Sequence, residues 1–362
     1  MTMRPCDRFV SFFYGQPVDR PPLLETKPWE TTLARWRAEG LDDAQGLPYL
    51  EECDSEERTA ADLWMLPRYE VRVLAEDEES VTRINDVGVT ERYLKPEGSA
   101  MPQHIRFPVE GRDDWLALKP RLQPGSGPRL PADWDARRQR WQRLGTTVIF
   151  QGPRSPGFFG FIRELMGPER ALTLFYDDPW LVEDMMETSL ELTLAVLAQA
   201  LDSYPLAGLY FWEDMAYKAG PLISPAMFRR FMLPRYRRVV DYARARGVPI
   251  ILVDSDGNIE QLIPLWLEAG LDGVYPLEVA AGMDVVSLRR RYGKSLMMKG
   301  GIDKRALFYG RAEIDAELRR VMPVIEGGGY IPTIDHAIPP DVPYANMVYY
   351  WQQKKRLLRL DW

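Results

Sequence analysis

Hydrophobic residues in the C-terminal two thirds of the chain are concentrated in six short runs, and each run ends in acidic or otherwise reactive side chains. The runs span 146–151, 208–214, 248–256, 273–278, 295–299 with Asp303 just beyond, and 329–336. Segments with helical periodicity separate them, which is the alternation typical of a parallel sheet covered by helices. Where such a sheet closes into a barrel, chemistry takes place at the carboxyl ends of the strands. The pattern therefore predicts an α/β fold, a TIM (β/α)8 barrel with one polar mouth.

The predicted strands fix where the reactive side chains should meet. The barrel should begin at residues 22–25, after the rigid entry Pro17-Val18-Asp19-Arg20-Pro21-Pro22. Later strands should end at Gln151, Glu213, Asp254, Glu278, Lys299 and near Thr333. All of these residues should line one end of one cleft.

Proline and glycine mark the helices between these strands. A helix is predicted from about Trp29 to Gly40, and Asp178-Pro179 begins one that runs to about Tyr204. Further helices are predicted from Ser224-Pro225 to Gly247, over 284–292 and over 311–325, and Pro339-Pro340 should open the last one. With the N-terminal run included, the chain contains roughly eight strand and helix units.

Residues 69–95 follow a different pattern from the rest of the chain. Polar and apolar side chains alternate at Tyr69, Val71 and Val73, again at 81–85, and then at Val87 and Val89. This predicts antiparallel hairpins with Asp86 near one turn. A loop rich in proline and glycine follows over 119–134. We therefore expect residues 1–362 to form a single barrel domain, with 69–134 as an inserted hairpin and loop region.

Composition excludes several classes of protein. The net charge is -7 without a block of lysine and arginine, which argues against a nucleic acid partner. Cys6 and Cys53 are the two cysteines, too few for a disulfide framework or a thiolate zinc site. No apolar stretch approaches the ~20 residues of a membrane span, and charged residues interrupt the first fifteen positions, unlike a signal peptide. We therefore expect a cytoplasmic protein that does not associate with membranes.

Several motifs resemble those of the uroporphyrinogen decarboxylase superfamily over most of the chain. They are Asp19-Arg20-Pro21-Pro22, Gly220-Pro221-Leu222-Ile223-Ser224-Pro225, Lys299-Gly300-Gly301-Ile302-Asp303 and Gly327-Gly328-Gly329-Tyr330. The resemblance implies a TIM barrel. The superfamily contains true uroporphyrinogen decarboxylases, which need no cofactor, and cobalamin- or corrinoid-dependent methyltransferases, which use zinc.

The chain departs from the decarboxylase branch at the residues that handle the substrate. That branch carries a Met-Arg-Gln-Ala-Gly-Arg-Tyr segment whose arginines hold carboxylates, but the matching positions 25–30 read Glu-Thr-Lys-Pro-Trp-Glu. Its catalytic tyrosine falls on Phe161 and its late histidine on Gly328. Acidic residues at the strand ends would also repel a polycarboxylate tetrapyrrole. The resemblance is therefore closer to the methyltransferase-like members.

In the methyltransferase branch, a His-x-Cys-Gly segment and a late cysteine bind zinc. This chain has Asp254-Ser255-Asp256-Gly257 at the first place and His336 at the second. Residues 254 and 256 point the same way on an extended strand, and oxygen and nitrogen ligands accept several divalent metals. The resemblance thus implies a metal site at Asp254, Asp256 and His336, in which zinc is one candidate. The acidic pair could instead turn the strand into the next helix, and His336 could be a structural histidine held by Asp335.

Roles for further residues follow from their positions at the strand ends. We predict Glu213, Glu278 and His336 as catalytic residues, although Glu213 and Asp214 could pair with Lys218 instead. Substrate contacts are predicted for Arg154, Phe161, Trp212 and Lys299. Trp212 could equally be a wall of the pocket.

These observations predict methyl transfer to or from a corrinoid (cobalamin), with a divalent metal activating a small-molecule substrate. A corrinoid protein is a candidate partner. The first alternative is decarboxylation of the uroporphyrinogen type, in tetrapyrrole biosynthesis. The second, from another class, is a corrinoid- or tetrapyrrole-binding module without catalysis.

Overall fold

The structure is a computed structural model that describes residues 2–42, 46–95, 102–153 and 157–358. In this part of the chain, seven parallel strands form a barrel-type wall with helices alongside it. The order of the strands is β1 (Glu56–Arg58), β6 (Thr147–Phe150), β7 (Gly208–Trp212), β10 (Ile250–Asp254), β11 (Gly273–Tyr275), β12 (Met297–Ile302) and β13 (Tyr330–Ile334). The chain is therefore an α/β protein, as the sequence predicts.

All six apolar runs form strands of this parallel sheet. Their registers are parallel, as in the pairing of Ile251 with Leu209. Three details of the prediction are wrong. β11 ends at Tyr275, so Glu278 lies three residues beyond the strand. Lys299 does not end a strand, because β12 continues through Gly300 and Gly301 to Ile302. The wall also contains β1, which the sequence did not reveal, because its three residues are Glu, Glu and Arg.

Helices connect the strands and lie outside them. Their bounds are α1 (Pro5–Phe13), α2 (Glu30–Ala38), α3 (Pro48–Glu51), α4 (Arg112–Leu118), α5 (Trp134–Leu144), α6 (Phe158–Met166), α7 (Pro168–Asp177), α8 (Pro179–Ser203), α9 (Pro225–Met227), α10 (Leu233–Ala245), α11 (Ile263–Glu268), α12 (Val285–Tyr292), α13 (Ala306–Tyr309), α14 (Arg311–Glu326) and α15 (Tyr344–Leu357). A π-helical turn, Phe228–Met232, joins α9 to α10. The last helix begins at Tyr344 rather than at the predicted prolines, because Pro339 and Val342 form a turn first.

The excursion predicted near residues 69–95 is an antiparallel sheet. In the described residues it has four strands, β2 (Arg72–Glu76), β3 (Ser80–Ile84), β4 (Thr90–Leu94) and β5 (Gln103–Arg106). Asp86 lies in the turn between β3 and β4, as predicted. Val87 and Val89 are buried at this turn and do not form a strand of their own. A short pair, β8 (Ala216–Tyr217) and β9 (Gly220–Pro221), follows β7.

Two apolar cores hold the fold together. The larger one lies between the strands and the surrounding helices. The smaller one fills the interior of the wall with strand residues such as Ile149, Ile250 and Ile331, and α1 adds Phe9 and Phe12 from the amino-terminal side. Burying large apolar side chains on both faces is what makes continuous apolar runs favourable as strands. The interior is therefore packed near the amino-terminal ends of the strands.

The predicted first strand at residues 22–25 is an extended segment without a regular ladder. Leu23 exchanges hydrogen bonds with Asp54 just before β1, with lengths of 2.8 and 2.9 Å. On the other side, the Ile334 N–H of β13 donates to Glu25 Oε1 at 2.8 Å. A parallel bridge links Pro28 to Ile338. The segment thus lies between the two ends of the sheet.

The Glu25 side chain holds this segment in place through a fully buried ion pair. Lys354 Nζ on α15 donates to Glu25 Oε2 at 2.8 Å and to the Leu24 carbonyl at 2.6 Å. Both side chains are completely buried, and Tyr350 Oη also donates to Glu25 Oε2 at 2.7 Å. A buried carboxylate without a counter-charge is strongly unfavourable. The pair therefore ties the N-terminal segment to the last helix.

No helix in the described ranges is long and apolar enough to cross a membrane.

We expect Lys354→Met to lower the free energy of unfolding by about 3–5 kcal/mol, because it leaves the Glu25 carboxylate buried without its counter-charge. Adding Glu25→Gln to this variant should recover part of the loss. Urea denaturation followed by circular dichroism measures both changes. The surface variant Lys355→Met is the control, since Lys355 forms an exposed pair with Glu52. A loss below ~1 kcal/mol for Lys354→Met would show that the pair is dispensable.

Candidate active site at the carboxyl ends of the strands

A contact between Asp256 and His336 lies where β10 and β13 end. His336 Nε2 is 3.4 Å from Asp256 Oδ2, and about a third of each side chain is exposed. The hydrogen bond from His336 to Asp256 raises the pKa of the histidine; burial opposes this, and the negative charge of Asp256 adds to the rise. Two chemically active groups that are 80 residues apart in sequence thus form an acid–base pair open to solvent.

Asp254 is the last residue of β10 and lies deeper than Asp256. Burial raises its pKa to about 8, and the nearby charges of Asp256 and Asp214 add to the rise, while Arg58 opposes it. Desolvation and like charge both favour the protonated form of a carboxylic acid. These influences therefore favour the protonated form of Asp254 at neutral pH.

Asp214 and Glu278 hold the loop that follows β10. Asp214 Oδ1 accepts the Asp256 N–H at 3.3 Å, and Glu278 Oε2 accepts the Gly257 N–H at 3.0 Å. Gly257 has φ +83°, and a Cβ on it would lie 2.3 Å from the Ala216 carbonyl oxygen, so a side chain has no room there. The loop is thus fixed by two carboxylates and by one close backbone approach.

A pocket of about 430 Å³ opens between the ends of β7, β10 and β11. Its charged lining residues are Arg163, Asp214, Lys218, Asp256 and Glu278. Arg163 Nη2 is 3.2 Å from Asp214 Oδ2, and the guanidinium stacks on the Trp212 ring at 4.9 Å. Asp214 is therefore paired with Arg163 and not with Lys218. The volume suits a small molecule.

Glu213 does not act at this mouth, although the sequence suggested it as a catalytic base. Its side chain is fully buried, and its two oxygens accept the N–H groups of Phe158 and Gly160 at the start of α6, both at 2.8 Å. The Tyr236 hydroxyl also donates to it. Burial raises the pKa of Glu213 to about 7, although these hydrogen bonds lower it. Glu213 therefore caps a helix.

Three of the four residues predicted to contact the substrate are buried in the core, already paired, or outside the described residues. Phe161 is completely buried and packs against Trp64 and Trp115, with ring centroids 5.2 and 6.2 Å away, so it belongs to the outer core and the prediction is wrong. Lys299 is not a free cation, because Nζ binds Glu56 at 2.7 Å. Arg154 lies outside the described residues.

The other predicted residues lie at one end of the strands. Asp256 contacts His336 there, Asp254 is close enough for the charge of Asp256 to raise its pKa, and Glu278 lines the adjacent pocket with Asp256. Trp212 ends β7, in register with Asp254. In the described ranges, however, no group of three or more His, Cys, Asp and Glu side chains could hold a metal ion. Among the described residues, the three predicted ligands thus do not form a ready-made metal site.

Sequence reasoning missed the residues that line the interior just below this mouth. They are Arg58 on β1, Tyr210 on β7 and Tyr275 on β11. Tyr210 and Tyr275 were hidden inside apolar runs, where aromatic residues are expected to be core. The one available signal for Arg58 was its two-residue spacing from Glu56.

The fold and the polar strand ends define a barrel-type α/β enzyme, and comparison with known proteins identifies its family. A family model described as uroporphyrinogen decarboxylase (URO-D) matches residues 154–356, more than half of the chain. The chain therefore belongs to the uroporphyrinogen decarboxylase family, which confirms the resemblance seen in the sequence.

Curated relatives agree with this assignment. A uroporphyrinogen decarboxylase from Streptomyces coelicolor is 27% identical over 336 residues, which cover 89% of this chain and 87% of the relative. Another from Pseudomonas aeruginosa is 27% identical over 187 residues, 49% of this chain and 48% of the relative.

Among solved structures, a methyltransferase from Methanosarcina mazei is similar in fold. It aligns with a TM-score of 0.59 and 15% identity, covering 97% of this chain and 99% of that protein. At this identity the likeness concerns the fold alone.

We expect Glu213→Gln to lower the free energy of unfolding by about 1–3 kcal/mol, because the amide cannot accept both backbone N–H groups. The variant should also change the pH dependence. The folded pKa of Glu213 lies above its unfolded value, so its contribution is complete at low pH and is lost as pH rises through about 7. Urea unfolding at pH 5 and pH 8 should show a smaller decline for the variant than for wild type. Glu268→Gln, at a surface pair with Arg229, is the control; an unchanged decline would contradict the cap.

Asp256→Asn should lower the pKa of His336, because the largest influence that raises this pKa is the hydrogen bond to Asp256. Titration of the imidazole C–H signals by NMR measures the change. His104 is an internal reference, since it lies on β5 and the chain has two histidines. If the His336 signal titrates identically in the variant and in wild type, the two side chains do not interact in solution.

Proposed function

We propose that this enzyme transfers a methyl group between a small molecule and a corrinoid, and that Asp256 and His336 move the proton that this reaction requires. The observation that carries the proposal is the contact between these two side chains at the carboxyl ends of β10 and β13. They stand at the places where the resemblance puts the ligands of the methyltransferase branch. The same proposal takes residues 22–28 as the eighth member of a (β/α)8 wall, because this segment joins Asp54 to β13.

His336 is suited to act as the acid. Asp256 raises the pKa of His336 and so favours its charged form. When a methyl group leaves an oxygen or nitrogen of the substrate, the electron pair of the broken bond stays on that atom. A proton released by the His336–Asp256 pair would neutralise that atom. The reverse reaction uses the same pair as a base.

The other strand-end residues shape the place of reaction. Arg163 and Trp212 form one wall, and Glu278 with Asp214 fixes the loop that carries Asp256. The pocket holds a small molecule, so a macrocycle would face it from outside the strand ends. A bound corrinoid supplies the cobalt centre that accepts or donates the methyl group.

A divalent metal at Asp254, Asp256 and His336 remains part of the proposal. The separation of 3.4 Å between His336 Nε2 and Asp256 Oδ2 is close to the edge of about 3.3 Å between two ligands of a tetrahedral zinc ion. Among the described residues, a third ligand is not in place. The residues therefore fit two positions of such a site and not the three that catalytic zinc sites use. The acid–base role of His336 does not depend on the metal.

The second candidate function is decarboxylation of a uroporphyrinogen. The observation that favours it is the printed name of curated relatives that are about 27% identical over most of the chain. Against it stand the carboxylates of the mouth and the replacement of the expected tyrosine by Phe161, which is buried in the core. A binding module without catalysis would leave the Asp256–His336 pair without a role.

We expect the purified protein to form methylcobalamin from reduced cobalamin and a small methylated substrate under anaerobic conditions. His336→Gln and Asp256→Asn should each slow the reaction by about 100-fold or more, which is the usual contribution of an acid–base group. The absorbance of the cobalamin follows the reaction across a panel of methyl ethers, esters and amines. His104→Gln is the matched control, because His104 lies on the distant antiparallel sheet. A chelated sample with and without added Zn²⁺ shows whether a metal takes part.

Two outcomes would contradict the proposal. One is conversion of uroporphyrinogen to coproporphyrinogen at a rate typical of a decarboxylase, measured by porphyrin chromatography. The other is an unchanged rate of methyl transfer in His336→Gln. In the first case the protein is a decarboxylase, and in the second the proton comes from another group.

A further inference from the structure

Trp29 makes a ring contact with His336 at the polar mouth. The centroids of the indole and imidazole rings are 6.0 Å apart, and the two ring planes lie at 86° to each other. This is the edge-to-face arrangement that aromatic rings prefer at centroid distances of about 4.5–7 Å. Trp29 is 47% exposed, and about a third of the His336 side chain is exposed. The contact therefore lies at the open end of the site and not in the apolar core.

The backbone of Trp29 is fixed on two sides. Its N–H donates to the carbonyl of Ile338, two residues after His336, at 3.1 Å. Its own carbonyl accepts the N–H groups of Thr32 and Leu33 in the first turn of α2, both at 3.0 Å. The hydroxyl of Thr32, a completely buried residue, donates to the same Ile338 carbonyl at 2.7 Å. The indole thus extends from a backbone that is tied to the segment carrying His336.

The hydrogen bonds of the imidazole hold its ring only weakly. Nε2 of His336 is 3.4 Å from Asp256 Oδ2, and Nδ1 is 3.4 Å from the carbonyl oxygen of Ala337. Hydrogen bonds between nitrogen and oxygen are usually about 2.7–3.2 Å long and weaken beyond this range. A side chain held by two long hydrogen bonds can change rotamer unless a neighbour restricts it. Among the described residues, the aromatic ring that contacts this imidazole is that of Trp29.

We propose that Trp29 is a positioning residue whose indole keeps the His336 imidazole against Asp256. A ring that is free to turn into water would leave Asp256 for part of the time, and the pair could not move a proton during that time. Acid–base groups act efficiently only when their neighbours hold them close to the productive geometry. This inference rests on the proposed function, because the His336–Asp256 pair is the proton carrier of that reaction. It gives Trp29 no contact with the substrate.

The first test needs no substrate, corrinoid or metal. NMR of protein with labelled histidine side chains measures nuclear Overhauser effects from the imidazole C–H protons of His336. Wild type should show contacts with the indole protons of Trp29 and with the Cβ protons of Asp256. In Trp29→Leu the contact with Asp256 should weaken by about half or more, because the ring then samples other rotamers. Trp29→Phe keeps an aromatic ring and should retain the contact. His104, which contacts Phe107, is the internal reference and should not change.

The second test separates holding the imidazole from binding the substrate. In the methylcobalamin assay, Trp29→Leu should lower kcat about tenfold and change KM by less than about twofold, because a misplaced catalytic group slows the chemical step. Trp29→Phe should recover about half or more of the wild-type kcat, since it restores a ring contact. Trp180→Leu is the matched control and should change neither constant. Trp180 is 46% exposed at the start of α8, where the Arg112 guanidinium lies over its ring.

Three results would overturn the inference. One is an unchanged contact between His336 and Asp256 in Trp29→Leu. The second is a raised KM with an unchanged kcat, which would make Trp29 a residue that binds the substrate. The third is a kcat for Trp29→Phe that is as low as that of Trp29→Leu. If the NMR contacts change as expected but wild type transfers no methyl group, the proposed function fails and the role of Trp29 in holding His336 stands. Circular dichroism confirms the fold of each variant, and Trp29→Met takes the place of Trp29→Leu if that variant fails to fold.

Discussion

The buried ion pair between Glu25 and Lys354 is the interaction on which the shape of the wall depends. The N-terminal segment has no regular ladder to either neighbour, so side chains must hold it between β13 and β1. Glu25 does this by accepting hydrogen bonds from β13 and from α15 simultaneously. On the other side, Asp54 is bound by Arg8 and Arg20 at 2.6 Å each. The Glu25–Lys354 and Arg8–Asp54 pairs are shielded from water. Loss of one partner therefore leaves a buried charge that water cannot solvate.

The acidic residues of the strand ends divide into structural and reactive groups according to their hydrogen bonds. Glu213 is saturated by donors from α6 and Tyr236 and stabilises the start of a helix. Asp335, next to His336, is likewise buried and accepts the N–H groups of Val279 and Lys304. Asp256 faces the open mouth, and its polar contact there is with His336. Asp256 therefore differs from Glu213 and Asp335 because its carboxylate is partly exposed and can accept further hydrogen bonds.

By the resemblance in sequence, Asp254, Asp256 and His336 align with the metal ligands of the methyltransferase branch, and they offer oxygen and nitrogen instead of sulfur donors. The segment at residues 25–30 contains no arginine, whereas β1 carries Arg58. Lys299 Nζ lies 5.7 and 6.0 Å from the ring centroids of Tyr210 and Tyr275.

The sequence by itself determined the parallel wall and much of its mouth. Continuous apolar runs are stable as strands buried on both faces, and the residue after such a run must lie at the strand end, which places Asp254, Asp256 and His336 together. Only the tertiary structure decided which polar groups pair. Glu213, predicted as a catalytic base, instead accepts hydrogen bonds from the start of α6. Lys299, predicted to contact the substrate, instead pairs with Glu56, which is 243 residues away in sequence. β1 stayed hidden because a short polar strand has no apolar run, and only its pairing with β6 makes it part of the wall.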